Sequence, residues 1–418
     1  MKRLTSVFLN SILQTKVYDE FDESIGKLTD IYVTAEEGYP RVIGYMIKKD
    51  GEIFNYEFRS IGLYQEANGR VLIKVKGVKE IIPRTYSYLL SKNLLGKQIV
   101  DVTGKKVVRV NDLQLAELAG ELRVVAVDSG IMALGRRYGI VGILNTVFKL
   151  LKKSPSDTII MWDDVESLEV IKDNLQIAIP YKKLSKLHPA DLADILEEMD
   201  SEHRAKVLEN LDENLAADTL EEIEPNIQAD IIQNMDEDKV AEVLDFMPND
   251  EIADMLDEVD EEVAEKLLAN LEKDDADEVR ELMGYEEETV GSIMNPDFIS
   301  FHINISVRES IEIIRDLKPD PETSNYIYIT NEENNLEGVL SLMDLLLANP
   351  DTKIKDIMNT NIIHVNVKDS IEKTIELALK YDLIAVPVLD EEDKLCGIAI
   401  IHDIIDEYIY HYKRRKNR

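Results

Sequence analysis

The chain is 418 residues long, enough for several domains, and its 83 Asp and Glu against 48 Lys and Arg leave a formal net charge of −35, which argues against a phosphate backbone and hence nucleic acid as a ligand. A single cysteine, Cys396, excludes an internal disulfide framework or a thiolate zinc cluster, and its apolar setting reads as a buried structural thiol in a reducing cytoplasm. No uninterrupted apolar run approaches the roughly 20 residues that cross a bilayer.

At the N-terminus, Lys2 and Arg3 precede the apolar stretch Val7 to Leu13. Asn10 and Ser11 interrupt it and no small-residue cleavage site follows, so no signal peptide is expected. Residues 1–184 then carry an internal duplication. Val17-Tyr18-Asp19 matches Ile99-Val100-Asp101, Lys27-Leu28-Thr29-Asp30 matches Arg109-Val110-Asn111-Asp112, and Arg41-Val42 matches Arg123-Val124, all 82 residues apart. Phe58, Ile61 and Val71 match Trp162, Val165 and Leu175 at 104, so the second copy holds 22 extra residues around 135–157. Each copy alternates β-formers, as in Val42 to Ile47 and Val107 to Val110, between turn residues such as Asp50-Gly51, Asn68-Gly69 and Thr103-Gly104. The pattern predicts two small antiparallel barrels, residues 1–84 and 85–184. Gly104-Lys105-Lys106 lacks the upstream glycine and following hydroxyl of a phosphate loop and reads as a hairpin turn. Leu94-Leu95-Gly96-Lys97-Gln98-Ile99-Val100-Asp101, followed by Asp112, resembles PRC-barrel domains, and the first copy resembles them more loosely. The resemblance implies docking modules for a protein partner that the sequence does not name.

Within the extra residues, Tyr138 to Leu151 places Ile140, Ile143, Leu144, Val147 and Leu151 on one helical face, with Arg136, Arg137, Lys149, Lys152 and Lys153 around it. Two readings stand: a helix lying on a membrane surface, and, preferred at this point, a helix whose apolar face packs on a barrel or on the acidic repeats that follow.

From Pro189 to Glu272 a twelve-residue unit is written seven times, with blocks beginning at Pro189, Ser201, Glu213, Pro225, Glu237, Asn249 and Glu261. The eighth position is always Leu or Ile, the eleventh always apolar, and the fifth is alanine in every block but the last, where it is Glu265. Twelve residues at 3.6 per turn would rotate one long helix's apolar face by about 120° per block, so the unit predicts short helices separated by turns. Asp200, Asp212, Asp236 and Asp260 at the block edges are N-cap types, and Pro189, Pro225 and Pro248 suit helix starts. A helical solenoid over residues 185–285 is expected, each block burying its apolar face on the next. Its outward positions are mostly Asp and Glu, which composition alone reads as a solvated acidic surface.

The repeats, followed by Tyr285-Glu286-Glu287-Glu288-Thr289-Val290-Gly291-Ser292-Ile293-Met294, resemble the cytosolic N domain of MgtE magnesium channels and its junction with CBS domains. The last third is again duplicated. Ile293-Met294-Asn295 matches Ile357-Met358-Asn359 and Ser310-Ile311-Glu312 matches Thr374-Ile375-Glu376 at 64 residues, while Leu336-x-Gly338 with Asp344 matches Leu395-x-Gly397 with Asp403 at 59. The five-residue difference falls in Lys318-Pro319-Asp320-Pro321-Glu322. These helix-strand-strand-helix units, with Ala385-Val386-Pro387-Val388, look like a tandem CBS pair, or Bateman module, at residues 286–350 and 351–412.

CBS pairs commonly bind adenine nucleotides, and the resemblance implies ATP or AMP on the first copy. There Asp344 would bridge ribose hydroxyls, with Ser341 and Ser300 near the phosphate; in the second copy Ile400 and His364 replace the two hydroxyls. Ser341 and Asp344 equally suit a helix cap, and both readings stay open. From the same family, Mg2+ is implied between the acidic repeats and the CBS pair, with Asp382, Asp403 and Asp406 on the CBS side and Asp250 and Asp254 on the repeat side. Mg2+, a hard ion that keeps several waters, can bridge carboxylates too loosely placed for a cage. The sequence departs from the family after Asp406: Glu407-Tyr408-Ile409-Tyr410-His411-Tyr412 and a basic tail at 413–418 stand where an acidic connection to the channel's plug helix is expected, so no channel is expected in this chain.

The six histidines form no metal-ligand pair, and no nucleophile elbow, Walker motif or cysteine cluster is present, so no enzyme is expected. The expected fold is thus a multidomain α/β mixture of two PRC-like antiparallel barrels, an α-helical solenoid and a CBS pair. The expected function is a cytoplasmic Mg2+-sensing regulatory protein that dimerises through its CBS pair; alternatives are a constitutive docking adaptor, or the cytosolic subunit of a separately encoded Mg2+ transporter.

Overall fold

Alternation of β-branched and aromatic residues with polar ones builds the first sheet. After β1 (Lys2–Leu4), β2 (Ser6–Phe8) and α1 (Leu9–Ile12) come β3 (Lys16–Tyr18), β4 (Ser24–Thr34), β5 (Val42–Lys49), β6 (Glu52–Gln65) and β7 (Val71–Glu80). In β5 Tyr45 and Ile47 are buried while Met46 between them is half-buried and Lys48 after them faces solvent, the period of two that a half-buried strand requires. Asp50 and Gly51 both take positive φ, 51° and 92°, as a tight β5–β6 hairpin demands. Strands β6-β5-β4-β3-β7 pair in that order and β7 pairs back on β6, closing a five-stranded barrel. At Gly26 of β4 a side chain would stand 2.6 Å from Ile47 Cγ2, so closure needs a glycine there.

This computed structural model describes residues 2–34, 38–67, 69–82, 87–151, 158–167, 181–286, 288–405 and 408–409. It divides into two compact units, residues 1–215 and 216–418.

In the first unit the second sequence copy forms β8 (Ser87–Leu89), α2 (Leu90–Asn93), β9 (Gln98–Asp101), β10 (Lys106–Arg109), β11 (Asp112–Leu118) and β12 (Glu121–Asp128), then α3 (Ile131–Tyr138), α4 (Val141–Leu151), β13 (Ile159–Met161) and β14 (Val165–Ser167). The β9–β10 hairpin occupies the turn expected at Gly104-Lys105. These strands make two open sheets, β10-β9-β14 and β13-β12-β11-β2. The counterpart of β7 would fall around 175–184, most of which, Leu175 included, lies outside the described residues.

The two copies also exchange strands. β2, at the start of the first copy, pairs with β11 of the second, and β8, at the start of the second, pairs with β4 of the first. The equivalent carboxylates follow suit: Asp30 accepts hydrogen bonds from the N–H groups of Ser91 (2.7 Å) and Lys92 (3.1 Å) at the start of α2, and Asp112 accepts one from Asn10 (3.0 Å) at the start of α1. Arg41 and Arg123, also equivalent, bridge to each other. One apolar core joins Leu9, Ile31 and Ile47 to Leu90, Leu113 and Val124, so the copies bury their faces on each other.

The extra residues of the second copy form α3 and α4. Within its own unit α4 buries none of its residues, so the expected packing of its apolar face on a barrel is at most partial there. Its half-buried side holds Val141, Leu144 and Phe148, Leu144 lying against Gly135 of α3, while Ile143, Val147, Leu150 and Leu151 are exposed. Lys152 and Lys153 lie outside the described residues.

Eight helices follow, each starting twelve residues after the one before: α5 (Pro189–Glu197), α6 (Ser201–Leu208), α7 (Glu213–Glu221), α8 (Pro225–Asn234), α9 (Glu237–Leu244), α10 (Asn249–Asp257), α11 (Glu261–Leu268) and α12 (Lys273–Leu282). The first unit ends inside α7. Asp200 and Asp236 cap α6 and α9 through their side chains, and Pro189 and Pro225 open α5 and α8. Every eighth-position residue from Leu196 to Leu268 is buried, as is every seventh, from Ile195 through Thr219 to Leu267.

The CBS pair closes the second unit. Its first copy comprises β15 (Ile299–His302), α13 (Val307–Leu317), β16 (Tyr326–Thr330), β17 (Leu336–Ser341) and α14 (Leu342–Leu347); its second has β18 (Val365–Asn366), α15 (Ile371–Tyr381), β19 (Ala385–Leu389) and β20 (Leu395–Ile400). Each makes a three-stranded sheet with one parallel and one antiparallel pairing. The copies interlock through the duplicated Met-Asn pairs: Asn295 bridges to Ile398 and Asn359 to Val339. A side chain at Gly338 would stand 2.5 Å from Met358 Sδ and one at Gly397 would stand 2.8 Å from Met294 Sδ, which is why each copy has glycine there. Cys396 lies against Met294, half-buried, and burial pushes its thiol up to about 12, keeping it protonated.

Candidate functional site

A group of carboxylates lies in the second unit, where α7, α10 and α12 meet residues of the CBS pair. Pro248 fixes the start of α10, so Asp250 and Glu251 fall in its first turn, where backbone N–H groups and the helix dipole favour negative charge. That favour is overridden. Asp250 Oδ1 is buried and has no hydrogen-bond partner. Burial first, and then the nearby Asp403, push the Asp250 carboxyl up to about 7, against the opposing effect of its own N–H and that of Glu251. Glu251 is held well above the carboxylate range, first by burial and then by Asp250, Asp254, Glu221 and Asp403. Glu221, at the end of α7, is likewise pushed up to about 7 by burial and by Asp218, Asp250, Glu322 and Asp320. Asp297 is raised by burial, Asp275 and Asp320. Besides burial and backbone N–H groups, the neighbours that act most strongly on these four acids are other carboxylates, so like charges face one another here.

Of the residues singled out in the sequence, Asp250, Asp254 and Asp403 come together here. Asp403 follows β20, half-buried, with His402 Nδ1 3.8 Å from its Oδ1. Asp382 stands apart: it is exposed, in the left-handed region (φ 56°) at the C-cap of α15. Asp406 lies outside the described residues. Glu221, Glu251, Asp297, Asp320 and Glu322 were not singled out; the last two sit in the Pro-rich loop that reads as a mere length difference between the CBS copies. Among the described residues no three His, Cys, Asp or Glu side chains converge as the direct shell of a bare metal ion. The donor set suits a hydrated hard cation: oxygen only, anionic, and with one buried oxygen lacking any partner.

On the first CBS copy, Ser341 and Asp344 form a reciprocal cap. Ser341 Oγ accepts from the Asp344 N–H (3.1 Å), and Asp344 Oδ2 accepts from the Ser341 N–H (3.1 Å) and its hydroxyl (2.6 Å). Ser300 is exposed on β15, across β16 from β17.

A CBS pair behind an acidic helical segment is the architecture of a regulatory body. Family models agree in detail: residues 187–288 match the MgtE intracellular N domain, 290–351 and 354–410 match CBS domains, and 5–80 match a PRC-barrel domain. The magnesium transporter MgtE of Enterococcus faecalis is 41% identical over 133 residues, 32% of this chain and 29% of that protein. MgtE of Thermus thermophilus is 38% identical over 129 residues, covering 31% and 29%. The cytosolic domain of the Mg2+ channel MgtE, solved in complex with ATP, superposes with a TM-score of 0.52 at 34% identity over 53% of this chain and 91% of that one. The chain belongs to the MgtE family, through its cytosolic domains, and carries a PRC-barrel domain besides. It spans 29% of the length of each of these two curated relatives, and among the described residues no helix is long and apolar enough to cross a membrane.

Proposed function

We propose that this chain is a Mg2+-responsive regulatory body, in which the ion neutralises the carboxylates between α10 and the CBS pair and so sets how tightly the two associate. The observation that carries the reading is Asp250: an enclosed carboxylate oxygen with no hydrogen-bond donor, next to the like-charged Asp403. A fixed lysine would hold such a junction closed under all conditions; a carboxylate pair leaves the closing charge to solution. Asp250 and Asp254 on one side and Asp403 on the other would hold a hydrated ion, with Asp406 and Asp382 as the further candidates by sequence. The ion supplies charge and water-mediated bridging; the protein supplies position and exclusion of bulk solvent. Residues 185–285 act in this reading as a solenoid lever, and the PRC-like region, residues 1–184 in two copies, as the docking module for a protein partner. CBS pairing of two chains into a homodimer is supported by exposed Ile313 and Leu317 of α13 and Leu379 of α15.

Calorimetric titration with Mg2+ at fixed ionic strength tests the reading. Saturable heat is expected for the native chain, with affinity lowered about tenfold or more in Asp250→Asn and Asp403→Asn, since each removes a charge worth about 1.4 kcal/mol or more to the bound ion. Unsaturable heat equal to that of KCl would reduce the acids to a solubility surface and leave a constitutive adaptor. Adenine nucleotide at Ser300, Ser341 and Asp344 is a second part of the proposal, supported by the ATP complex of the similar cytosolic domain; binding there would require the Ser341–Asp344 cap to open.

A further inference from the structure

Between Asp128 and Asp157 the chain has no acidic residue, although Asp and Glu make up 83 of its 418 residues, and the same stretch holds five cations: Arg136, Arg137, Lys149, Lys152 and Lys153. This is the stretch that builds the α3–α4 hairpin, inserted relative to the first sequence copy. The hairpin is anchored through α3, whose Ala133 and Gly135 are buried. Arg136 of α3 pairs through Nε with Asp112 Oδ2 at 2.7 Å, through Nη2 with Asp128, and lies 3.7 Å over the Phe8 ring. Nothing comparable holds α4, whose apolar side chains continue around the helix past the half-buried stripe facing α3. Ile143 is 65% exposed and Leu150 83%, and Leu134 and Tyr138 of α3 are open as well. An isolated eleven-residue helix with this much exposed apolar surface is not stable in water on propensity alone, and its own unit leaves that face uncovered.

We infer that the α3–α4 hairpin is a membrane-surface anchor that lays Ile143, Val147 and Leu150 into the headgroup boundary of an anionic bilayer. Charge complementarity selects this occupant. A chain of net charge −35 is repelled by an anionic surface over most of its length; the basic tail at 413–418 has cations but no apolar residue of its own, whereas in the acid-free stretch 129–156 cations and exposed apolar side chains coincide. Arg137 and Lys149 have no carboxylate partner among the described residues, so their charge is available to lipid headgroups, while burial of the apolar side supplies affinity. A second copy of the chain would bring the same positive charge against itself.

The test is vesicle flotation of the full chain with phosphatidylcholine alone and with phosphatidylcholine containing phosphatidylglycerol. Binding is expected to the anionic vesicles, at least several-fold above the neutral ones, weakened by salt. It should fall at least tenfold in Ile143→Glu/Leu150→Glu and fall less in Lys149→Glu, whereas Phe21→Glu, an equally exposed apolar side chain elsewhere in the unit, leaves it unchanged. Circular dichroism and gel filtration of each variant verify that folding is intact. Absence of binding by the native chain, equal binding to neutral vesicles, or equal loss in Phe21→Glu would overturn the inference. So would an oligomer in light scattering that Ile143→Glu/Leu150→Glu dissociates, since the face would then belong to a second copy.

Discussion

Asp112 and Asp250 are both carboxylates withdrawn from water, and they differ in what faces them. Burial raises Asp112, but Arg136 and the Asn10 N–H oppose it, and the pair ties α3 to β11. Arg136→Ala leaves Asp112 and Asp128 without their counterion and is expected to cost about 3–5 kcal/mol, read as a lowered melting temperature of the first unit; a change within about 0.5 kcal/mol would show that the pair contributes little there. Asp250 has no such partner, so its proton takes the counterion's place. Its folded value, about 7, exceeds the ordinary 3.8, so the folded form binds more protons between those limits. The closed arrangement is therefore favoured at low pH and loses stability as pH rises through that window. Mg2+ must displace the proton, so its affinity should be roughly tenfold weaker at pH 6 than at pH 8, with proton release visible as a buffer-dependent heat. Equal affinity at both values would mean that Asp250 is ionised without the ion. Asp250, Asp254 and Asp403 were legible in the sequence through the family resemblance. Glu221, Asp320 and Glu322 were not, because their meeting is a tertiary event between segments about 100 residues apart.

At the scale of elements, prolines and capping aspartates wrote the helix starts into the sequence, since they act within one turn of their own position. Even so, not all capped alike: Asp260 precedes α11 without a side-chain hydrogen bond. The period-twelve pattern singled out positions five, eight and eleven, yet position seven is as deeply buried as position eight. Thr219 hid it, a polar type that is fully enclosed. Position four carries a second device: Arg204 and Gln228 donate to the carbonyls of Leu196 and Leu220, the eighth position of the preceding helix, at 2.9 and 2.8 Å. Ala217, fully buried on α7, has no room for a larger side chain, so Ala217→Leu should destabilise by about 1–3 kcal/mol in chemical denaturation; a neutral result would mean that the helices slide apart cheaply. The strand exchange of β2 and β8 was beyond sequence reading, because both partners match the pattern equally well within their own copy. On α14, Asp344→Ala removes the cap and the proposed ribose carboxylate together, and ATP affinity should fall at least tenfold; unchanged affinity with a slightly less stable helix would leave Asp344 as a cap alone.

At the scale of the whole molecule, the net charge of −35 makes association between acidic bodies depend on the ions present. Exposed acids repel weakly, each pair worth up to about 1 kcal/mol, and physiological salt screens them beyond roughly 8 Å. Asp250 Oδ1 is enclosed and Glu251, Asp254 and Asp403 near it are half-buried, so monovalent salt screens them less than it does exposed acids, while Mg2+ can bridge them. The account therefore turns on ion-specific compaction. Small-angle scattering of the full chain should give a radius of gyration that contracts at millimolar MgCl2 well beyond its value in KCl of the same ionic strength, with Asp250→Asn/Asp403→Asn already contracted and insensitive to Mg2+. Equal contraction in the two salts, unaffected by those substitutions, would contradict it.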